Sequence, residues 1–368
     1  MTRTTIKDVA IAAGVSKGAV SFALNKRPGV APATRERILQ VAGEMGWTPS
    51  SRARALSVSR ALAVGLVIAR PADTLRADPF FPSFIAGLEA VLSERGQALV
   101  LQVVPDHQLE LKSYRRLTDE GRVDGVFVTD LFVDDARPAL LAELGLPAVI
   151  VGPALGDAFW PAVGVDDAPG ITAAVEHLVA LGHTSIAHVS GPTSMVHGHS
   201  RRQAWATALD RTGLPPAPWV GADFSAASGA RATHRLLDLE DRPTAIVYAN
   251  DLMAMAGLSV AIARGIDVPG ELSITGYDDT EIAAYLQPSL TTVTSDVLGW
   301  GRAAATRLLQ MIDDEPATEI RLPAARLVVR SSTGPAANAQ RSAATSQRGR
   351  SATERRRTAT ERRRMEMQ

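Results

Sequence analysis

Along the first fifty residues the apolar positions recur every three or four places, separated by turn residues. Ile6, Val9, Ala10 and Ala13 share one helical face; Thr5 and Asp8 are spaced as a capping box at its start, and Gly14 ends it by accepting a left-handed turn. Val15 is an apolar turn residue, and Ser16 is a good N-cap for a second short helix to about Leu24. Pro32 suits the first turn of a third helix, to about Met45, with Ile38, Val41, Ala42 and Met45 facing inward. Two helices joined by a glycine-containing turn of this length form a helix-turn-helix, whose second helix fits the major groove of DNA. The pattern alone leaves open a small helical module with no DNA role.

Beyond residue 60 the period changes. Short apolar runs predict strands at Val64–Ala69, Ala98–Val103, Gly125–Thr129, Ala148–Val151, Gly164-Val165, Ser185–Val189, Ala245–Tyr248 and Leu272–Tyr277. Helical stretches fall between them, at Phe84–Arg95, Lys112–Glu120, Ala168–Leu181, Ser200–Arg211 and Leu252–Arg264. This alternation predicts α/β units on parallel sheets. The run Ala61–Ala69 is too short to cross a bilayer and reads as a buried strand, so no membrane partner is expected.

Charge changes the picture more than composition does. The 368 residues carry no formal net charge, but residues 1–60 hold ten basic side chains against three acidic ones. The tail 335–368 holds nine arginines against three glutamates, so the body between is strongly acidic. A basic head on an acidic body points to an anionic partner at one end. The tail repeats itself, Ser351–Arg357 being followed by Thr358–Arg364; it has no leucine heptads and reads as disordered, with weak non-specific DNA affinity. The absence of cysteine excludes disulfides and thiol chemistry, and residues 1–20 lack the apolar core of a signal peptide, so a reducing cytoplasm is the expected setting.

Thr5-Ile6-Lys7-Asp8-Val9-Ala10, Ala13-Gly14-Val15-Ser16, Val20-Ser21, Leu24-Asn25 and Thr34-Arg35-Glu36-Arg37-Ile38 together resemble the head-piece of the LacI/GalR family of bacterial transcription regulators. Motifs in the same order continue through Glu176-His177-Leu178, Ser190-Gly191-Pro192, Ala249-Asn250-Asp251, Gly276–Thr280 and Pro288–Val293, so the resemblance spans about residues 4–333. It implies a helix-turn-helix domain at 1–48, a hinge at 49–60, and a periplasmic-binding-protein-like bilobed core at 61–334. The core divides into two Rossmann-like subdomains, 61–164 with 294–324 and 165–293 with 325–334. The implied function is that of a homodimeric repressor of a palindromic operator, released by a small effector between the lobes. Lys17, Gly18 and Phe22 fall at base-reading positions. Lys17 could donate to guanine, Phe22 could touch a thymine methyl, and Gly18 offers only backbone approach. Thr5, Ser16, Ser21 and Asn25 go to phosphates or to capping. Ala19 and Ala31 stand where the family usually has threonine and serine, which removes a phosphate contact and a cap. The resemblance further implies a hinge, carrying Ala53, that becomes helical in the minor groove only on operator DNA, with Arg52 and Arg54 beside phosphates and Leu56 as the wedge that opens the central base step.

The same resemblance places effector contacts at Arg201, Phe224, Asn250 and Asp278, with Phe80 and Phe81 as the first lobe's aromatic wall. Arg201, Asn250 and Asp278 form a polar trio suited to hydroxyls or a carboxylate, and a sugar or sugar derivative is the expected effector. A purine or other metabolite acting as corepressor is the alternative, and a solute-binding protein a more distant one. Arg202 rivals Arg201; Asn250 and Asp278 could simply tie loops; Asp130 reads as a surface loop acid. No nucleophile elbow or phosphate-cradling loop is present, so no enzyme activity and no cofactor are expected. His197-Gly198-His199 reads as an exposed loop pair rather than a metal site, and His177, His183 and His188 need no chemistry.

Overall fold

The computed structural model describes residues 4–24, 28–47, 60–153, 159–316, 320 and 322–337. The N-terminal domain is three helices, α1 (Ile6–Ala12), α2 (Lys17–Leu24) and α3 (Pro32–Glu44). Their apolar faces meet in a small core of Val9, Ala10, Ala13, Val20, Ala23, Ile38 and Ala42. The start of α1 is closed by Asp8, whose carboxylate accepts both the Thr5 N–H (2.9 Å) and the Thr5 hydroxyl (2.7 Å) and is thereby held below the usual carboxylate range. Ser16 caps α2 by accepting the Ala19 N–H at 3.1 Å.

The remainder folds as two α/β lobes. The first holds β1 (Ala63–Ala69), α4 (Ala72–Ala77), α5 (Phe80–Leu92), β2 (Ala98–Val104), α6 (His107–Asp119), β3 (Val126–Val128), α7 (Arg137–Glu143), β4 (Ala148–Val151) and β5 (Ala162–Val163). Its parallel sheet runs β2-β1-β3-β4-β5, with Val64 opposite Leu99 and Gly65 opposite Val126. The second lobe holds α8 (Ala168–Ala180), β6 (Ile186–Ser190), α9 (Val196–Arg211), β7 (Trp219–Gly221), α10 (Ala226–Leu237), β8 (Ala245–Tyr248), α11 (Asp251–Ala263) and β9 (Ser273–Thr275). Its parallel sheet runs β7-β6-β8-β9. Strands covered by helices on both faces must be apolar throughout, and β1, β3, β4, β6 and β8 are buried almost end to end. The chain returns through β10 (Thr292–Thr294) to α12 (Val297–Ile312), which packs on α5 in the first lobe, and β11 (Arg326–Val328) pairs antiparallel with β10.

Three features of this frame bear on function. First, α5 and α12 cross at Gly87 and Gly301, where a Cβ on Gly87 would lie 2.2 Å from the Leu298 carbonyl oxygen. Only glycine allows that approach. Second, the chain enters β1 under two restraints. Arg60 bonds the Asp313 carboxylate and the Ile312 carbonyl at the C-terminal end of α12. Asp124 accepts the N–H groups of Ala61 (2.7 Å) and Leu62 (2.8 Å). Third, Arg137 is buried and gives its N–H groups to Asp135 (2.6 Å), Glu110 (2.7 Å), the Thr129 carbonyl (2.8 Å) and the Asp130 carbonyl (2.9 Å). It thereby shapes the loop that follows β3.

His188 on β6 lies fully buried against Trp205, its Nδ1 2.8 Å from the Val247 carbonyl oxygen. Burial drives its imidazole down to about 3. The unfolded chain takes this proton near pH 6.5 and the folded chain does not. Stability from this group is therefore fully present above pH 6.5 and declines as pH falls toward 3, by about 1.4 kcal/mol per unit. Asp251, held up to about 6 mainly by burial, contributes a slope of opposite sign. Comparison with His188→Gln isolates the histidine: between pH 6 and pH 4 the variant's urea midpoint should fall less. Parallel curves would contradict neutral burial of His188.

Candidate functional site

A cavity of about 760 Å³ lies between the lobes, at the carboxyl ends of the strands in both sheets. In each sheet the strand order reverses beside it, between β1 and β3 in the first lobe and between β6 and β8 in the second, which is where open α/β sheets leave a crevice. Four non-glycine residues on its wall, Asp130, Phe224, Asp278 and Asp279, have positive φ of 52°, 67°, 118° and 53°, so local strain gathers here.

Arg201 rises from α9 into this cavity and is anchored on nearly every side. Its Nε–H donates to Asp167 at 3.0 Å, one terminal nitrogen donates to the Ala249 carbonyl at 2.6 Å, and the guanidinium lies 3.6 Å from the centroid of the Tyr277 ring. Tyr277 donates to the same Asp167 at 2.6 Å. Asp278 stands 3.9 Å from Arg201 and faces the cavity; burial among Asp251, Asp78 and Asp167 pushes its carboxyl well above the usual range, against the pull of Arg201. Asn250 does what its tying alternative anticipated, since its Oδ1 caps α11 at Met253 N–H and its Nδ2 donates to the Phe224 carbonyl, both at 3.0 Å. It still lines the cavity. Arg202 turns away from the cavity, its guanidinium 4.9 Å from the Trp219 ring centroid.

Phe80 lines the first lobe's side in edge contact with Trp300, ring centroids 6.0 Å apart, and Trp300 is an aromatic that sequence reasoning missed. Phe81 corrects the expectation of a paired aromatic wall: it is buried in the lobe core, its ring beneath the Arg70 guanidinium at 5.3 Å. The next residue along a helix points about 100° away, so adjacent residues cannot share one face. Asp130 is corrected too. It is no surface acid, for it faces the cavity and takes a two-pronged bond from Arg70 (2.6 and 2.5 Å), while Asp78 takes another Arg70 N–H. The His197 pair also lies elsewhere than expected. Both histidines sit in the first turn of α9, His197 stacks on Phe224 at 5.0 Å, and burial followed by the charge of Arg201 brings it down to about 4. Among the described residues no group of three or more His, Cys, Asp or Glu could hold a metal. The lobes also touch through the backbone beside the cavity: Val133 N–H donates to the Ser194 carbonyl at 2.9 Å and Val196 N–H to the Leu131 carbonyl at 2.8 Å.

On the N-terminal domain, α2 buries Val20 and Ala23 and leaves Lys17, Gly18 and Phe22 exposed, with Ser16 exposed at its start. Phe22 keeps 41% of its surface open, a large apolar side chain without cover on a helix that has an apolar core available. Thr5 is exposed at the start of α1 and Ser21 half-buried. Asn25, Arg52, Ala53, Arg54, Leu56 and most of the tail lie outside the described residues.

Residues 5–50 match the family described as bacterial regulatory proteins, lacI family, and residues 175–333 match the periplasmic binding protein-like domain. The chain is 34% identical over 335 residues to the HTH-type transcriptional regulator CelR of Thermobifida fusca, covering 90% of this chain and 98% of the relative. It belongs to the lacI family. Another lacI-family relative, the HTH-type transcriptional repressor CytR of Escherichia coli (strain K12), is 30% identical with 90% of this chain and 97% of the relative covered. Among solved structures, the transcriptional regulator CelR-cellobiose complex superposes with a TM-score of 0.68 at 33% identity, covering 90% of this chain and all of that one. The lac repressor dimer bound to operator and the anti-inducer ONPF does so with a TM-score of 0.77 at 29% identity and the same coverage. The lacI-family chain is thus a helix-turn-helix transcriptional regulator with a periplasmic-binding-protein-like core. No helix among its described residues is long and apolar enough to cross a membrane.

Proposed function

We propose that this regulator is a homodimeric repressor of a palindromic operator, and that a carbohydrate in the interlobe cavity sets its operator affinity. The observation that carries the reading is the composition of the cavity wall. An aromatic edge, Phe80 and Trp300, comes from the first lobe, and Arg201 with Asp278 comes from the second. Apolar faces and hydroxyls are what sugars offer to such a pair of walls. A relative of this chain has been solved with cellobiose. The purine reading has its own support, since relatives named PurR are 31–32% identical and the Phe224–His197 stack would accept a flat ring. Mass spectrometry of ligand carried through native purification separates the two. A hexose-based mass supports the carbohydrate, and a purine base overturns it. Fluorescence anisotropy of labelled operator with and without that ligand then tells release from corepression. Turnover of the ligand during incubation would contradict a purely regulatory site.

On the DNA side, Lys17 offers a positive charge on the exposed face of α2. Lys17→Ala is expected to relax preference at one base position per half-site, by about 1–3 kcal/mol. Uniform weakening across all sequences would make Lys17 a phosphate contact instead.

A further inference from the structure

We infer that the cavity is a charge filter, taking a neutral, hydroxyl-rich ligand and rejecting the phosphorylated form of the same molecule. This rests on the carbohydrate reading and adds the ligand's charge. Eight carboxyl side chains line the cavity against two guanidinium groups, Arg70 and Arg201, with no lysine among the lining residues. Each guanidinium is already matched internally. Arg70 is held by Asp130 at 2.5 Å and by Asp78, and Arg201 is held by Asp167 at 3.0 Å with Asp278 at 3.9 Å. His197 adds no positive charge at neutral pH, because burial brings it down to about 4.

The backbone sites for anions are partly taken as well. Helix N-termini attract phosphate through free N–H groups. At the cavity the Gly299 N–H of α12 is taken by Asp296 at 2.8 Å, the Ala168 N–H of α8 by Asp166 at 2.9 Å, and the Phe80 N–H of α5 by Asp78 at 2.8 Å. The Met253 N–H of α11 is taken by Asn250 at 3.0 Å, and Val196 N–H of α9 by the Leu131 carbonyl at 2.8 Å. An entering phosphate therefore meets excess negative charge, even leaving out Asp278, whose carboxyl burial holds well above the usual range.

Neutral hydroxyls meet the reverse. A guanidinium has five N–H donors, and the internal bonds of Arg70 and Arg201 leave N–H groups of each uncommitted. Charge is cancelled while donors remain. Asp278 supplies the acceptor.

The test is calorimetric titration of the full-length protein with glucose, maltose, lactose and cellobiose, each beside its 6-phosphate. At least one neutral sugar should bind, with its 6-phosphate at least a hundredfold weaker. Comparable or tighter binding of the phosphate overturns the filter and leaves the carbohydrate reading standing. Binding of no sugar in either form overturns the carbohydrate reading and the filter with it. Asp130→Asn, which unmasks Arg70 at nearly constant shape, should narrow the discrimination at least tenfold. Asp78→Asn, at a more exposed partner of Arg70, is the second variant should the first misfold, and an unchanged ratio in a folded variant overturns the assignment to Arg70.

Discussion

Arg137→Ala is expected to lower the unfolding free energy by about 3–5 kcal/mol, read as a drop in urea midpoint at constant m-value. Arg137 is 1% exposed and removing its guanidinium strands Glu110, itself fully buried, together with Asp135 and the carbonyls of Thr129 and Asp130. Glu110 also accepts the Tyr114 hydroxyl at 2.9 Å, so one deletion disturbs a whole buried cluster. Most of the loss comes from leaving charge unpaired, not from losing the pair. Arg137→Met combined with Glu110→Leu and Asp135→Asn, which leaves neither buried carboxylate charged, should therefore be less damaging than Arg137→Ala alone. A cost below about 1 kcal/mol for Arg137→Ala would mean that water reaches this cluster in solution. The loop shaped by Arg137 carries Asp130 and the backbone contact to the second lobe, so ligand affinity should fall with stability.

Arg201→Ala should abolish the response of operator binding to effector, measured by anisotropy of labelled operator. Losing donors of a charged group to a buried ligand costs about 1.5–3 kcal/mol each, enough to move the response beyond usable ligand concentrations. The geometry adds a second effect, a loss of stability, because alanine leaves Asp167 with Tyr277 alone. Ligand-free operator binding by the folded variant should remain near wild type, since the exposed face of α2 belongs to a different domain. Asp278→Asn should blunt the response less, because an amide keeps an acceptor oxygen. Undiminished sensitivity in Arg201→Ala would place the effector elsewhere.

Elements with large side chains at a clear period were legible in the sequence: α1 to α3, β1, β4, β8 and α9 all fall close to their expected positions. Those missed are built differently. In α10 the buried face is largely Ser228, Gly229, Ala232 and Thr233, residues that also populate loops. Helix α12 carries Gly299 and Gly301 in its first turn and a half, which reads as a break until α5 is seen to need the space. The site followed the same logic. Arg201, Asn250, Asp278, Phe80 and Phe224 are placed by the family resemblance through the local motifs that carry them, and all reach the cavity. Arg70, Asp167, Tyr277 and Trp300 come from distant stretches and meet only through the fold, as the Tyr277–Asp167 bond spans 110 positions. Whether Asp130 faced water or Arg70 depended on a contact 60 residues away.

Helix α12 can also be described as a lever. Its near end, at Val297 and Leu298, stands in the cavity wall, and its far end holds Arg60, the last step before the N-terminal segment. At the glycine crossing with α5 the backbones are in contact, with no side chain to slide or deform. The crossing divides the helix unequally, four residues from Val297 to Gly301 and twelve from Gly301 to Asp313. At 1.5 Å rise per residue the arms are roughly 6 and 18 Å. Any tilt about the crossing thus moves the Arg60 anchor about three times as far as the cavity end, and in the opposite direction.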